Sequence, residues 1–195
     1  MSANILLIGD VMIKERTAIH GNIDPKLIYP DIKVAQDMFI HPILGTALYE
    51  KIQTLVSNGQ INDAGNTDYK YLLDRYIADA LIWWTLSELP TTISFQFWNK
   101  GVVRKQGENT ELPSMSELID LSNKYKNRAE MYGDRLKKYL LEYAQKKYPE
   151  YLNPGNRADT INPSGQQFTT GIWLGDDKDD PYCNPGGFNG KPYSG

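Results

Sequence analysis

Four aspartates in a five-residue window, Asp176, Asp177, Asp179 and Asp180, form the densest set of potential cation ligands in the chain. Calcium takes about six to eight oxygens from a preorganised loop in which acidic or amide residues alternate and glycine occupies the sixth position. The stretch GDDKDDPYCNPGG sets its acids side by side and follows them with proline. It reads as a solvated acidic turn rather than a cation loop. The two histidines, His20 and His41, stand in no metal-ligand spacing, and His41 precedes a proline, as a helix-end residue does. No G-x-S-x-G and no phosphate-cradling glycine loop occurs. Ile5–Ile8 followed by Gly9 invites comparison with the first strand of a dinucleotide-binding unit, but no G-x-G-x-x-G and no strand–helix alternation follow. The sequence nominates no catalytic residue, no cofactor-binding residue and no metal ligand, and no cofactor is implied. Carboxylates scattered along the chain could still converge in space.

The elements that would position any such groups are helical. Asp24 caps and Pro25 opens a short turn, and Pro30 delays the main helix to about Asp31. Ile32, Ala35 and Phe39 then recur at helical spacing, with Lys33, Gln36 and Asp37 between them, until His41-Pro42 stops the run. Gly45 or Thr46 starts a second helix with the stripe Leu48, Ile52, Leu55 and Val56, closed by Asn58-Gly59. A polar loop at 60–66 leads to a long helix from Thr67 to Glu88, stopped ahead of Pro90. Its broad apolar face includes Leu73, Ile77, Trp83 and Trp84, which read as core packing. Ser114-x-x-Glu117 is a capping box for the last long helix. That helix carries Leu118, Leu121, Tyr125, Ala129, Tyr132, Leu136, Leu140 and Tyr143 to a stop at Pro149. The predicted core holds Phe39, Leu48, Ile52, Leu73, Ile77, Trp84, Leu121, Tyr125 and Leu136.

Two stretches break this pattern. Residues 91–112 are rich in β-formers punctuated by Asn99-Lys100-Gly101 and by 106–109, and they predict an extended or hairpin excursion between the two longest helices. Phe95, Phe97, Trp98, Val102 and Val103 there either contact another subunit or tuck onto the bundle. From residue 149 the chain holds six of its eleven prolines and eight of its sixteen glycines. It can neither sustain a long helix nor build a core alone. Yet Phe168, Ile172, Trp173, Leu174, Tyr182 and Phe188 lie within it, so the segment reads as an interaction arm, with Phe168–Leu174 able to add a strand to a neighbour. Docking on its own bundle is the alternative.

The fold class that follows is mainly α: a bundle of about four helices over 24–148 with the excursion at 91–112. An extended N-terminal segment, 1–23, precedes it, and an extended arm, 149–195, follows it. The net charge is −3, and the excess lies in residues 150–195, with six acidic side chains against three basic ones. That balance, with basic and acidic residues interleaved along the last helix, argues against a dedicated nucleic-acid binder. Cys183 is the single cysteine, so no intrachain disulfide forms. No apolar run approaches the ~20 residues that span a bilayer, and Ile5–Ile8 is too short for a signal segment. A soluble protein without a membrane role is expected.

Ala35, Gln36, Phe39, Ile40, Pro42, Leu44, Gly45, Leu48, Tyr49 and Ile52 carry a resemblance that extends over residues 14 to 147. In these residues the chain resembles the head-to-tail connector (head-completion, neck-ring) proteins of tailed bacteriophages, most closely those of crAss-like phages. The resemblance implies a structural virion protein at the head–tail interface, assembled in the host bacterial cytoplasm and not an enzyme. It implies a homo-oligomeric ring of about twelve copies between the portal protein and other neck or tail proteins, aiding head completion and tail attachment. DNA would pass through the lumen without sequence-specific binding. The rival class is a small enzyme or a DNA-binding accessory protein with dispersed active groups.

Overall fold

The computed structural model describes residues 5–98, 101–104 and 113–164, with the backbone alone described from 96 to 104. The fold is mainly helical, but the described residues form about six helical runs rather than four. They are α1 (Asp10–Arg16), α2 (Pro25–Ala35 continuing through Gln36–Ile40 and His41–Leu44), α3 (Thr46–Ser57), α4 (Thr67–Leu72 continuing through Leu73–Ile77 and Ala78–Ser94), α5 (Met115–Lys147) and α6 (Pro149–Leu152). The middle sections of α2 and α4 are π-helical turns. Short 3₁₀ turns at Gln60–Asn62 and Ala64–Asn66 link α3 to α4.

The longer boundaries of α2 and α4 trace to prolines that the chain accommodates. Asp24 accepts from the Lys26 amide and Pro25 sits at the first position, as expected, but the helix passes Pro30 without a break. Pro30 leaves Lys26 C=O without a helical donor, and both residues are exposed to water. Pro42 does not end the helix either. The wide turn before it pairs the His41 amide with Gln36 C=O, and the run stops only at Gly45, whose φ of +74° and ψ of 160° suit glycine. Pro90 removes the helical donor of Leu86 C=O, and next to it the Ser122 hydroxyl donates to Ser87 C=O and the Thr91 hydroxyl to Glu88 C=O. α4 nonetheless reaches Ser94. Residues 10–16 of the N-terminal segment, expected to be extended, are helical, and an i,i+4 pair between Asp10 and Lys14 braces them.

α5, 33 residues and about 50 Å long, is the spine. The expected capping box forms, with the Ser114 hydroxyl accepting from the Glu117 amide and the Glu117 carboxylate accepting from the Ser114 amide. It lies antiparallel to α4, since Ser87 meets Ser122, Trp83 meets Tyr125 and Tyr132, Tyr76 meets Tyr139, and Asp68 meets Lys147. α2 runs antiparallel along α4, from Asp31 opposite Thr92 to Phe39 stacked flat on Trp84 at 3.8 Å. Leu48, Ile52, Leu73, Ile77, Trp84 and Leu136 are buried as predicted, and Phe39 and Tyr125 are half-buried against them. Leu121 is a correction: it is 38% exposed, because Leu118, Ser122 and Tyr125 take the inward positions on that part of α5.

Residues 91–94 of the expected excursion belong to α4. Beyond them the backbone places β1 (Phe95–Trp98) antiparallel to β2 (Gly101–Arg104), with Phe95 opposite Arg104 and Phe97 opposite Val102. Residues 99–100 and 105–112 lie outside the described residues.

Candidate functional site

The turn between α2 and α3 is where three distant parts of the chain meet. Gln36 is 0% exposed and binds on three sides. Its Oε1 accepts from the Leu7 amide at 2.9 Å, and its Nε2 donates to Ile5 C=O at 3.0 Å and to the Tyr49 hydroxyl at 2.7 Å. Tyr49 in turn donates to Asp37 at 2.8 Å and stacks on the His41 ring at 4.3 Å, and His41 Nε2 lies 3.1 Å from the Thr46 hydroxyl. Burial holds the His41 imidazole below its usual pKa of 6.5, against the opposing pull of Asp37 and Glu50. Burial likewise pushes the Tyr49 hydroxyl up, helped by Asp37. Both rings are neutral at physiological pH. The network holds the N-terminal segment on α2 and fixes the α2–α3 corner. Polar groups satisfied in this way rigidify a site rather than activate it.

The first part of the expected arm is not free to reach a neighbour. Pro149–Leu152 forms α6 and buries Tyr151 in the core. Residues 153–164 then return along α3 to the same corner. Arg157 pairs with Glu50 at 2.6 Å, the Ile161 amide donates to the Thr46 hydroxyl at 2.8 Å, and Ile161 C=O accepts from the Thr46 amide at 3.0 Å. Ser164 donates its amide to Pro42 C=O at 2.7 Å, and Pro163 is buried over Gly45. A Cβ built on Gly45 would stand 2.6 Å from Pro163 Cγ, so only glycine admits the strap. This local docking corrects the expectation of an extended arm from residue 149, because Pro163 and the backbone of 161–164 find partners that composition alone could not reveal.

A second feature is a cleft of about 360 Å³ between the start of α4 and the end of α5. Tyr71, Tyr76, Tyr139 and Tyr143 line it, with Asp68 and Lys147 at one end. Tyr76 stacks on Tyr139 at 4.1 Å, and Tyr139 meets the Tyr148 hydroxyl at 3.1 Å. Lys147 reaches Asp68 at 2.7 Å, and that contact raises its pKa. Burial raises the Tyr148 hydroxyl well above its normal range. The cleft offers aromatic rings and phenol hydroxyls, edged by the Lys147–Asp68 pair.

A third feature, Asp31, is 7% exposed. Its Oδ1 accepts from Thr92 at 3.0 Å and its Oδ2 has no hydrogen-bond partner among the described residues. Burial raises its pKa, the Glu88 charge adds to the rise, and Thr92 opposes it.

Of the residues singled out in the sequence, Phe95 is half-buried at the start of β1. Phe97, Trp98, Val102 and Val103 lie within the paired backbone of β1 and β2. Phe168, Ile172, Trp173, Leu174, Tyr182, Phe188, Asp176–Asp180 and Cys183 lie outside the described residues. His20 and His41 are not brought together with other ligands, and no group of three or more His, Cys, Asp or Glu side chains could hold a metal among the described residues. Sequence reasoning missed Gln36, which fell among polar positions, and the tyrosine cleft. Part of the cleft's signal was present: Tyr76 and Tyr139, which line it, belong to seven-residue aromatic repeats, Tyr69, Tyr76 and Trp83 on α4 and Tyr125, Tyr132 and Tyr139 on α5.

Residues 40–161 match the family of unknown function DUF6712. The chain belongs to that family. The matched region starts at the last residue of the π-turn and ends at Ile161, the strap residue bonded to Thr46, so family membership spans the corner, both long helices and the returning strap. No curated protein and no solved structure matches the chain.

Proposed function

We propose that this chain is a structural subunit of a bacteriophage neck, a ring protein of about twelve copies seated between portal and tail. In this reading it aids head completion and tail attachment, works in the virion, and performs no catalysis. The supporting observation is the role of the residues that carry the connector resemblance. Ala35, Gln36, Ile40, Leu44, Leu48, Tyr49 and Ile52 are all buried, and Gly45 is the turn that admits Pro163. They are architectural residues, so a likeness in them is a likeness of fold and assembly rather than of chemistry. Apolar pairs left exposed at i,i+4 spacing, Val34 with Met38 on α2 and Met115 with Ile119 on α5, are the kind of surface that subunit contacts cover.

The hairpin β1–β2 extends from the junction of α4 and α5, and a two-stranded hairpin is marginal on its own. In the ring its strands gain a neighbour, with Phe97, Trp98, Val102 and Val103 at the contact. Phe97→Asp tests this directly. The variant should remain a folded helical monomer by circular dichroism yet fail to enter rings or virions; unfolding of the isolated variant would place Phe97 in the subunit core instead. The rival, a DNA-binding accessory protein, predicts strong duplex binding that weakens steeply with salt. Weak binding without that slope is the outcome expected of a neck ring with a net charge of −3.

A further inference from the structure

The seam between α4 and α5 carries an ordered set of aromatic rings with cations laid over them. Trp83 lies 5.9 Å from Tyr125 and 6.4 Å from Tyr132, and the Arg128 guanidinium sits over its ring at 4.8 Å. One turn-pair further, Arg135 covers Tyr76 at the same distance. Arg135 shares Asp79 with Arg16, but Arg128 is exposed and the Trp83 ring is its only described partner. Trp83, Tyr125 and Tyr132 are only half-buried. Aromatic and arginine side chains at a partly desolvated seam are the residue types that dominate binding energy at interfaces, and Arg128 has charge to spare for an acidic partner.

The chain supplies such a partner itself. Ile172-Trp173-Leu174-Gly175-Asp176-Asp177-Lys178-Asp179-Asp180-Pro181-Tyr182 joins large apolar groups to four carboxylates. Its tether is placed to deliver it. The strap is pinned at Ser164 beside Pro42, and Ile43, next along α2, lies over Gly133, the neighbour of Tyr132 on α5, where an added Cβ would stand 3.5 Å from Ile43 Cδ1. Trp173 lies nine positions beyond Ser164. Extended, that stretch reaches about 30 Å, enough to round a helix of about 10 Å diameter. A tether of that length holds the segment at high effective concentration near the seam. We propose that residues 172–182 dock on the α4–α5 seam of their own chain, with the Trp173 side chain against the rings and the aspartates facing Arg128. This surface goes beyond the neck assignment and does not depend on it: the free subunit carries its acidic segment on its own spine.

Cys183, the only cysteine, provides the probe. A nitroxide attached there in the full chain should broaden the amide resonances of Trp83, Arg128 and Tyr132 while sparing those of α3. The broadening should fall to the α3 level on Arg128→Glu, or when Asp176, Asp177, Asp179 and Asp180 are all changed to Asn, with the circular dichroism of each variant unchanged. An equal mixture of spin-labelled unenriched chain and unlabelled isotopically enriched chain should show no broadening. Three results overturn the proposal: broadening absent from the seam, broadening that persists in the mixture and so arises between copies, or broadening unchanged by both charge variants. A single-stranded oligonucleotide that shifts the seam resonances without displacing the label would also overturn it, by showing that the seam is free for nucleic acid.

Discussion

Replacing Gly45 by alanine perturbs the fold at the point where its distant segments converge. The φ and ψ of Gly45 lie in a region that is almost exclusive to glycine, and forcing alanine there costs about 1–3 kcal/mol. The new Cβ would also stand 2.6 and 2.8 Å from Pro163 Cγ and Cδ, inside contact distance, so the strap must move. Moving it breaks three hydrogen bonds, two between Thr46 and Ile161 and one between Ser164 and Pro42. Each has a net value of roughly 1 kcal/mol, part of which water recovers. The sum is a loss of about 2–5 kcal/mol, a large fraction of the roughly 5–15 kcal/mol typical of a domain. Urea unfolding followed by tryptophan fluorescence measures it, and trypsin cleavage after Arg157 reports release of the strap. Pro163→Ala separates the two contributions. In that background the two closest contacts are gone and only the 3.2 Å approach to the backbone nitrogen of residue 163 remains, so Gly45→Ala should cost little beyond the backbone share, about 1–3 kcal/mol. A loss below about 0.5 kcal/mol, within the scatter of ordinary surface changes, would refute the reasoning. So would an equal cost in both backgrounds, because the strap and the glycine would then be uncoupled.

Leu73→Ala should lower stability by roughly 2–5 kcal/mol, whereas Leu121→Ala, at an exposed position, should change it by less than about 0.5 kcal/mol; urea midpoints compare the pair. Gln36→Ala leaves the Leu7 amide without its side-chain partner and the Ile5 carbonyl with only the longer 3.5 Å bond from Gln53 Nε2, so it should cost about 1–3 kcal/mol and raise hydrogen exchange at residues 5–8. Asp31 has a folded pKa above its ordinary 3.8, so the folded state holds a proton that the unfolded state has already released. Its contribution to stability is therefore lost as the pH rises from 3.8 towards the raised value. Asp31→Asn, which keeps an acceptor for Thr92, should flatten that slope and be more stable than the parent at pH 7; urea titrations across pH check it, and a less stable Asn variant at pH 7 contradicts it.

The long helices were legible because apolar residues recur at helical spacing over many turns, and the capping box at Ser114 marks the start of α5 without ambiguity. Proline misled the boundaries. Pro30, Pro42 and Pro90 each look like stops, yet the helices pass all three, at Pro30 with an exposed carbonyl and at Pro42 through a widened turn, and neither feature is visible along one strand of sequence. α1 was signalled only by the Asp10–Lys14 pair within a short apolar stretch. The corner was half legible: Gly45 reads as a turn, but its need to receive Pro163 depends on two residues far apart in the chain. Gln36 reads as a surface residue by type, and only the folded N-terminal segment gives its amide the partners that make burial favourable.

The central claim, that the chain is an assembling subunit of a phage neck, is tested most directly by electron microscopy of the virion that carries it. The expected result is a symmetric ring of copies between portal and tail, with the β1–β2 hairpin at the contact between neighbouring subunits. A particle whose neck lacks this chain, or a ring whose subunits meet without residues 95–104, would contradict it.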